Sequence, residues 1–231
     1  MKEYEQTGVA MTCRSFEEYE RMFSLSAADC FKGPVLDIAA GASSFTAESR
    51  QRGMDAVATD PRYAMEPEDI AAEAAKEIEV STSKLASLKD QFDWSYYGSI
   101  DRHRLGRLKS MNIFYADYVS SRTNVYLPGS LPDLPFADDQ FTMVLCSHFL
   151  FLYGDQKGVE FHMLALKEML RVTRRGGSIR IYPLLNLRYE PYPQLEELLE
   201  AVRQFGGEPK TCPSSLSFIP DSTSYLKIIK N

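Results

Sequence analysis

The sequence predicts an α/β fold built on strand–helix–strand units, and three observations carry that expectation. Short apolar runs rich in β-formers alternate with amphipathic segments of helical length along much of the 231 residues. The first run, Val35 to Ile38, passes directly into the small residues Ala39 to Ser44, after which Phe45 to Arg52 continues as a helix stopped at Gly53. The second run, Ala56 to Thr59, ends on Asp60 and Pro61. Such a half-unit holds a nucleotide-like ligand at the carboxyl end of its first strand. Turn N–H groups and a helix N-terminus face the ligand, and the acid accepts hydrogen bonds from ribose hydroxyls.

The length suits one α/β domain over residues 1–231, and 44% hydrophobic content is ordinary for a globular chain. A net charge of -6 and a pI near 5.2 argue against a general nucleic-acid or anionic-membrane binder, which needs a basic surface. Cys13, Cys30, Cys146 and Cys212 show neither C-x-x-C pairing nor zinc-ligand spacing. With no apolar stretch of signal-peptide or membrane-span length, the expectation is a reduced, cytoplasmic protein.

In chain order, Ser15-Phe16-Glu17-Glu18 fits a capping box that opens a helix to about Leu25, with Phe16, Tyr19 and Phe23 on its inner face. Residues 1–32 then read either as a helix packing on the sheet edge or as a lid. In the second case Arg14, able to meet a carboxylate bidentately, and Tyr19 close over the ligand. Residues 64–121 interrupt the strand–helix rhythm. They read as a helical insert with segments at Glu68 to Glu79, Ser83 to Phe92 and Ile100 to Val119. Trp94 and Tyr97 beside Arg102, Arg104, Arg107 and Lys109 suit a substrate pocket, or a solvated basic face with aromatics packing the insert down. Asn124 to Leu127 reads as a third strand and Phe141 to Leu145 as a fourth, with Cys146, Ser147 and His148 at its carboxyl end. Val159 to Val172 has helical spacing, with Gly176-Gly177 as its stop, and Ser178 to Pro183 forms a fifth strand. A helix opened by Pro193 and two strand-like segments, about Glu208 to Cys212 and Ser224 to Ile229, close the chain.

Two further motifs give these elements a resemblance. Leu134 to Thr142 reads L-P-F-A-D-D-Q-F-T, and Glu168 to Gly177 reads E-M-L-R-V-T-R-R-G-G. With the acid after strand two, they resemble the L-P-F-x-D-x-x-F-D and E-x-x-R-V-L-K-P-G-G segments of class I S-adenosylmethionine-dependent methyltransferases of the small-molecule type. The turn is also similar to an uncharacterised bacterial subgroup carrying G-A-S-S-F. The resemblance covers about 33–63 and 124–229. It implies a Rossmann-like seven-stranded, mostly parallel sheet with an antiparallel last strand, plus the insert as a helical cap. It further implies an S-adenosyl-L-methionine cofactor: Asp37 and the Ala39, Ala40 and Gly41 backbone on the methionine part, Ser43 and Ser44 beside them, Asp60 and Pro61 at the ribose, and Ser130 and Leu131 at adenine. The same resemblance implies that Cys146, Ser147 and His148 border the methyl group. Where the family has D-x-G-x-G-x-G, this chain has D-I-A-A-G-A-S. Ala39 and Ser43 keep the turn small if their φ is negative, and restoring glycine there is expected to leave cofactor affinity equal or tighter.

Methyl transfer from a sulfonium mainly requires in-line alignment and exclusion of water. His148 is the candidate general base where the small-molecule acceptor must lose a proton; a plain hydrogen-bonded histidine is the alternative. Trp94, Tyr153 and Tyr182 join Arg14 and Tyr19 as candidate acceptor-binding residues. His103 and His162 lack ligand spacing, so no metal is expected. Two rival readings stay open: an NAD(P)-dependent oxidoreductase, and a non-catalytic S-adenosylmethionine-binding protein.

Overall fold

The computed structural model describes residues 6, 8–216, 218–219 and 221–231, so residues 1–5 and 7 of the expected lid lie outside it. Seven strands, β1 (Val35–Ile38), β2 (Ala56–Thr59), β3 (Tyr126–Leu127), β4 (Phe141–Ser147), β5 (Thr173–Tyr182), β6 (Gly207–Pro213) and β7 (Ser224–Lys230), form one sheet in the order β3-β2-β1-β4-β5-β7-β6. The pairings β1–β2, β1–β4, β2–β3 and β4–β5 are parallel, whereas β7 runs antiparallel to β5 and β6. All four residues of β1 are buried, as a central strand covered on both faces requires.

Among the described residues seven α-helices surround the sheet: α1 (Phe16–Phe23), α2 (Ala27–Cys30), α3 (Phe45–Gln51), α4 (Pro67–Ser87), α5 (Ile100–Val125), α6 (Val159–Val172) and α7 (Leu195–Gln204). The capping box at Ser15 is formed in both directions: Glu18 N–H donates to the Ser15 hydroxyl, and the Glu18 carboxylate accepts from Ser15 N–H. Phe16, Tyr19 and Phe23 are buried on the inner face of α1, where Tyr19 stacks on Phe45 of α3 at 4.3 Å.

The insert differs from expectation in its segmentation. The two helices expected at 68–79 and 83–92 are one helix, α4, followed by a 3₁₀ turn at Lys89–Gln91. α5 runs six residues beyond the expected Val119, to Val125, and so leaves β3 only two residues. The aromatic pairs Tyr63–Phe114 and Tyr63–Tyr118 hold α5 against the loop after β2, with centroids 6.0 and 5.6 Å apart. That packing outlasts any local strand preference at Asn124 and Val125.

Gly176-Gly177 does not stop α6. The helix ends at Val172, and β5 begins at once, with its register against β4 shifting between Phe141 and Met143. Gly176 takes φ +71 inside that irregularity, and Gly177 lies where another backbone passes closely. The two long-range motifs interlock here. Glu168 accepts from Leu134 N–H at 2.7 Å and pairs with Arg171, whose guanidinium also reaches the Phe136 carbonyl and Asp138.

A Cβ at Gly177 would lie 2.8 Å from the Arg174 carbonyl oxygen and 3.0 Å from that of Thr142, whereas one at Gly106 in α5 meets nothing within 4 Å. Gly177→Ala is therefore expected to lower stability by about 1–3 kcal/mol, and Gly106→Ala to raise it by up to about 1 kcal/mol. Urea midpoints of the two variants check the opposite signs.

Candidate functional site

β1 ends in a turn that glycine ordinarily builds. Ala39 takes φ +54 and Gly41 φ +56, so Ala39 occupies the left-handed region that the sequence reading assumed it would avoid. The N-terminal segment closes over this turn. A Cβ on Gly41 would stand 3.1 Å from both the Met11 side chain and the Thr12 carbonyl oxygen. Ser43 Oγ donates to Thr12 O (3.2 Å) and accepts from Arg14 N–H (3.1 Å). Ser44 Oγ donates to Glu48, and Ser44 N–H to Ser110 of α5. The serines thus fasten the segment and α5 to the turn, while Ala40, Gly41, Ser43 and Ser44 line neither cavity described below.

Asp37 also lines neither cavity. It is fully buried, its two carboxylate oxygens accept the Tyr19 hydroxyl at 3.1 and 3.0 Å, and burial together with nearby Asp60 raises its carboxyl well above the usual range. Tyr19, expected over a ligand, is instead buried against Asp37.

At the carboxyl ends of β1 and β2 lies a cleft of about 200 Å³ lined by Ala39, Asp60, Pro61, Ser130 and Leu131, five of the residues expected to touch the cofactor. Asp60 accepts from Gly41 N–H (3.1 Å) and Arg62 N–H (2.9 Å), and burial raises its carboxyl. Val9, Ile38, Arg62, Gly129, Phe149, Lys157 and Phe161 complete the wall, and the sequence reading assigned none of the seven to the site. Position gave a signal for Phe149, which directly follows His148.

A second cavity of about 110 Å³, partly open to solvent, lies beyond the Ala10–Arg14 segment, against α4 and α5. Of the expected residues it gathers Arg14, His148 and Tyr153. Trp94, Tyr182, Cys146 and Ser147 line neither space. Trp94 packs edge-on behind the cavity wall on Phe92 and Phe218, and Tyr182 packs edge-on against His148. Cys146 is buried at the end of β4, which pushes its thiol up to about 12, and Ser147 Oγ lies 2.9 Å from His148 Nδ1. His148 itself takes φ +53, a strained conformation for a residue with a side chain. Burial first, then the Arg14 and Arg107 charges, lower its imidazole far below the ordinary range. It is a neutral hydrogen-bonding group and a reluctant base.

Arg107 is not on a solvated face. It donates to both oxygens of the buried Glu18 (2.7 and 2.9 Å), to the Cys13 carbonyl and to the Tyr97 hydroxyl. Arg14 Nη1 reaches the same carboxylate at 3.1 Å. Desolvation pushes Glu18 up, but Arg107 and Arg14 outweigh it and hold the carboxyl at about 2. His103, read as a basic-insert residue, is buried in the cavity wall, and burial lowers it to about 2. Among the described residues no cluster of histidine, cysteine and carboxylates is placed to hold a metal ion.

Strand order separates two of the nucleotide-binding possibilities. A dinucleotide-binding sheet runs 3-2-1-4-5-6 and is parallel, whereas here an antiparallel β7 is inserted between β5 and β6. Residues 110–181 match the family model described as "Methyltransferase domain". The chain belongs to the class I S-adenosylmethionine-dependent methyltransferases. It is 34% identical over 188 residues, 81% of this chain and 83% of the relative, to the uncharacterized protein MJ0045 of Methanocaldococcus jannaschii. Among solved structures, a TehB-like methyltransferase of Corynebacterium glutamicum shares 13% identity, covering 87% of this chain and 82% of that one, with a TM-score of 0.47. The 1,6-didemethyltoxoflavin-N1-methyltransferase of Burkholderia thailandensis shares 14%, covering 86% and 70%, with a TM-score of 0.46.

The cleft of this methyltransferase fits the nucleoside half of its cofactor. Ile38, Leu131, Phe149 and Phe161 offer apolar surface to a base, while Asp60 is a carboxylate with lone pairs left for a diol.

Glu18 and the Ala39–Ser43 turn each generate a test. Because the folded Glu18 carboxyl titrates near 2 against 4.5 for a free one, its stabilisation is complete above about pH 4.5 and lost as the pH falls toward 2. Glu18→Gln is expected to cost about 3 kcal/mol at pH 7 by leaving two buried guanidinium groups short of a partner, and to flatten the acid limb of the stability–pH curve. At the turn, Ala39→Gly is expected to stabilise by up to about 1 kcal/mol by relieving left-handed strain. Ser43→Gly is expected to destabilise by about 1–3 kcal/mol through the orphaned Arg14 N–H. Thermal melts showing the same sign for both turn variants would contradict this account.

Proposed function

We propose that this methyltransferase acts on a small-molecule acceptor in the second cavity, with the cofactor nucleoside in the cleft over Asp60. One observation carries the reading: the two spaces share walls that are consecutive in the chain. Val9 lines the cleft and Ala10 the cavity; Phe149 lines the cleft and His148 the cavity. A group leaving one space for the other crosses only that partition.

S-adenosylmethionine, when bound, supplies an activated methyl group. The chain supplies position and dryness. Asp60 takes the ribose hydroxyls, Ala39 and Pro61 border the sugar, and Ser130 and Leu131 flank the base. Asp37, Ala40, Gly41, Ser43 and Ser44 shape the turn beneath the methionine part, and Cys146 and Ser147 back the partition. Met11 and Thr12 lie against Gly41, so of the expected 1–32 lid we read only the described segment from Gly8 to Thr12 as the part that lifts to admit the methionine half, α1 being held by the Glu18 network. His148 presents a neutral imidazole whose Nδ1 is engaged by Ser147. It orients an acceptor's proton and takes it only from an acidic donor. Tyr153 is tied by its hydroxyl to Ala10 N–H at 2.9 Å and acts as a wall of the cavity. Trp94 and Tyr182 support that wall from behind, and the 64–121 insert supplies its far side. The acidic surface and the small cavity favour a small molecule over nucleic acid or membrane. No described helix is long and apolar enough to cross a membrane. Four free cysteines, three of them buried, support a reducing, cytoplasmic setting.

Incubation with methyl-labelled S-adenosylmethionine and fractionated extract, followed by mass identification, is expected to yield a labelled small molecule. Asp60→Ala is expected to weaken S-adenosylhomocysteine binding at least tenfold by calorimetry, with the fold intact by circular dichroism. Unchanged affinity in that variant would remove the cleft from the reading.

A further inference from the structure

The second cavity carries information about what it accepts. At about 110 Å³ it is on the scale of a single ring, since an apolar cavity of about 150 Å³ takes up benzene. One wall consists of near-parallel rings: Phe92 stacks on Phe218 at 4.9 Å and 16°, and His103 on the same Phe218 at 5.5 Å and 19°. Rings in such a wall suit another ring, met by face or by edge.

A half-used cation stands in the same cavity. Arg14 and Arg107 share one carboxylate, Glu18, while the other carboxylate of the lining, Glu77, is paired with neither. Arg107 uses both terminal nitrogens on Glu18, the Cys13 carbonyl and Tyr97. Arg14, 7% exposed, uses only Nη1, on Glu18 and Tyr97. Its Nε is buried with no partner, and its Nη2 meets none among the described residues. Nε–H and Nη2–H form one edge of the planar guanidinium, the edge that matches both oxygens of a carboxylate. A buried Nε–H without an acceptor is costly until one arrives.

Three other polar atoms of the lining lack partners, Glu77 Oε1, His103 Nδ1 and the Tyr189 hydroxyl, and Glu77 forms an ion pair with neither arginine. All three suit a hydroxyl or amino substituent on the ring.

We propose that the methyl acceptor is a single-ring aromatic or heteroaromatic carboxylate, its ring against Phe218 and Phe92 and its carboxylate on the free edge of Arg14. This rests on the reading of the second cavity as the acceptor site. A carboxylate could also come from the methionine end of the cofactor, so the test separates the two sources. Benzoate, its neutral isostere benzamide and S-adenosylhomocysteine are titrated by calorimetry into the wild-type chain and into Arg14→Gln, each aromatic probe with and without S-adenosylhomocysteine. Benzoate is expected to bind the wild type about tenfold more tightly than benzamide. Arg14→Gln is expected to abolish that preference while S-adenosylhomocysteine affinity stays within about twofold. Equal binding of the two aromatic probes to the wild type, or no benzoate binding, overturns the proposal without recourse to any variant. A tenfold loss of S-adenosylhomocysteine in Arg14→Gln with the benzoate preference intact also overturns it, by assigning the guanidinium to the cofactor. Failure of S-adenosylhomocysteine to bind the wild type would instead strike the cofactor reading, since the benzoate–benzamide comparison is also made in its absence.

Discussion

A buried carboxylate sits where the separate parts of this methyltransferase meet. Glu18 closes the capping box of α1 through Ser15, accepts from Arg107 across 89 residues of sequence, takes a third donor from Arg14 and a fourth, at 2.5 Å, from the Tyr97 hydroxyl. An isolated ion in that position would cost several kcal/mol. Two guanidinium groups, a phenol and a backbone N–H make the burial tolerable, and in doing so they fix α1, α5, the loop before α5 and the Cys13 backbone relative to one another. The second cavity is lined in part by those same pieces. Its shape is therefore set less by apolar packing, which tolerates repacking, than by directional bonds, which do not.

The central sheet was legible because its signals are local. The β-formers Val35, Leu36 and Ile38 and the run Ala56 to Thr59 mark the strands, and Asp60 before Pro61 marks the strand end. The interlocking of Glu168 and Arg171 with Leu134, Phe136 and Asp138 accounts for the two motifs that carry the resemblance, since neither segment satisfies its polar groups alone. What sequence could not yield was pairing at a distance. Arg104 and Arg107 stand one turn apart in the same basic run, and the approach of Glu18, Cys13 and Tyr97 makes one a buried structural cation while the other pairs with Glu79 at the surface. His103 was weighed solely as a metal ligand, and its burial beside Phe218 depends on a loop more than a hundred residues away.

The turn after β1 shows the same limit in backbone terms. Small residues at Ala39 and Ser43 suggested two equivalent replacements of glycine. In the structure Ala39 keeps the left-handed conformation of the residue it stands for, whereas Ser43 uses its hydroxyl to hold the N-terminal segment, a role glycine could not perform. One position is a substitution endured and the other a new function for the turn. Conformational sign, unlike side-chain size, is not written in the residue type.

The cavity-forming helices α4 and α5 are also an insertion in the chain between β1 and β4, two strands that pair directly. Closing that pair means bringing together ends separated by a loop that the insert roughly doubles, and doubling a flexible loop adds only about 0.6 kcal/mol to the entropy of closure. Chain closure therefore sets little against an insert at this place, and what holds α5 there is packing, Phe114 and Tyr118 being fully buried beside Tyr126 of β3. Altering these helices is a matter of repacking one face of the sheet, not of re-closing its strands.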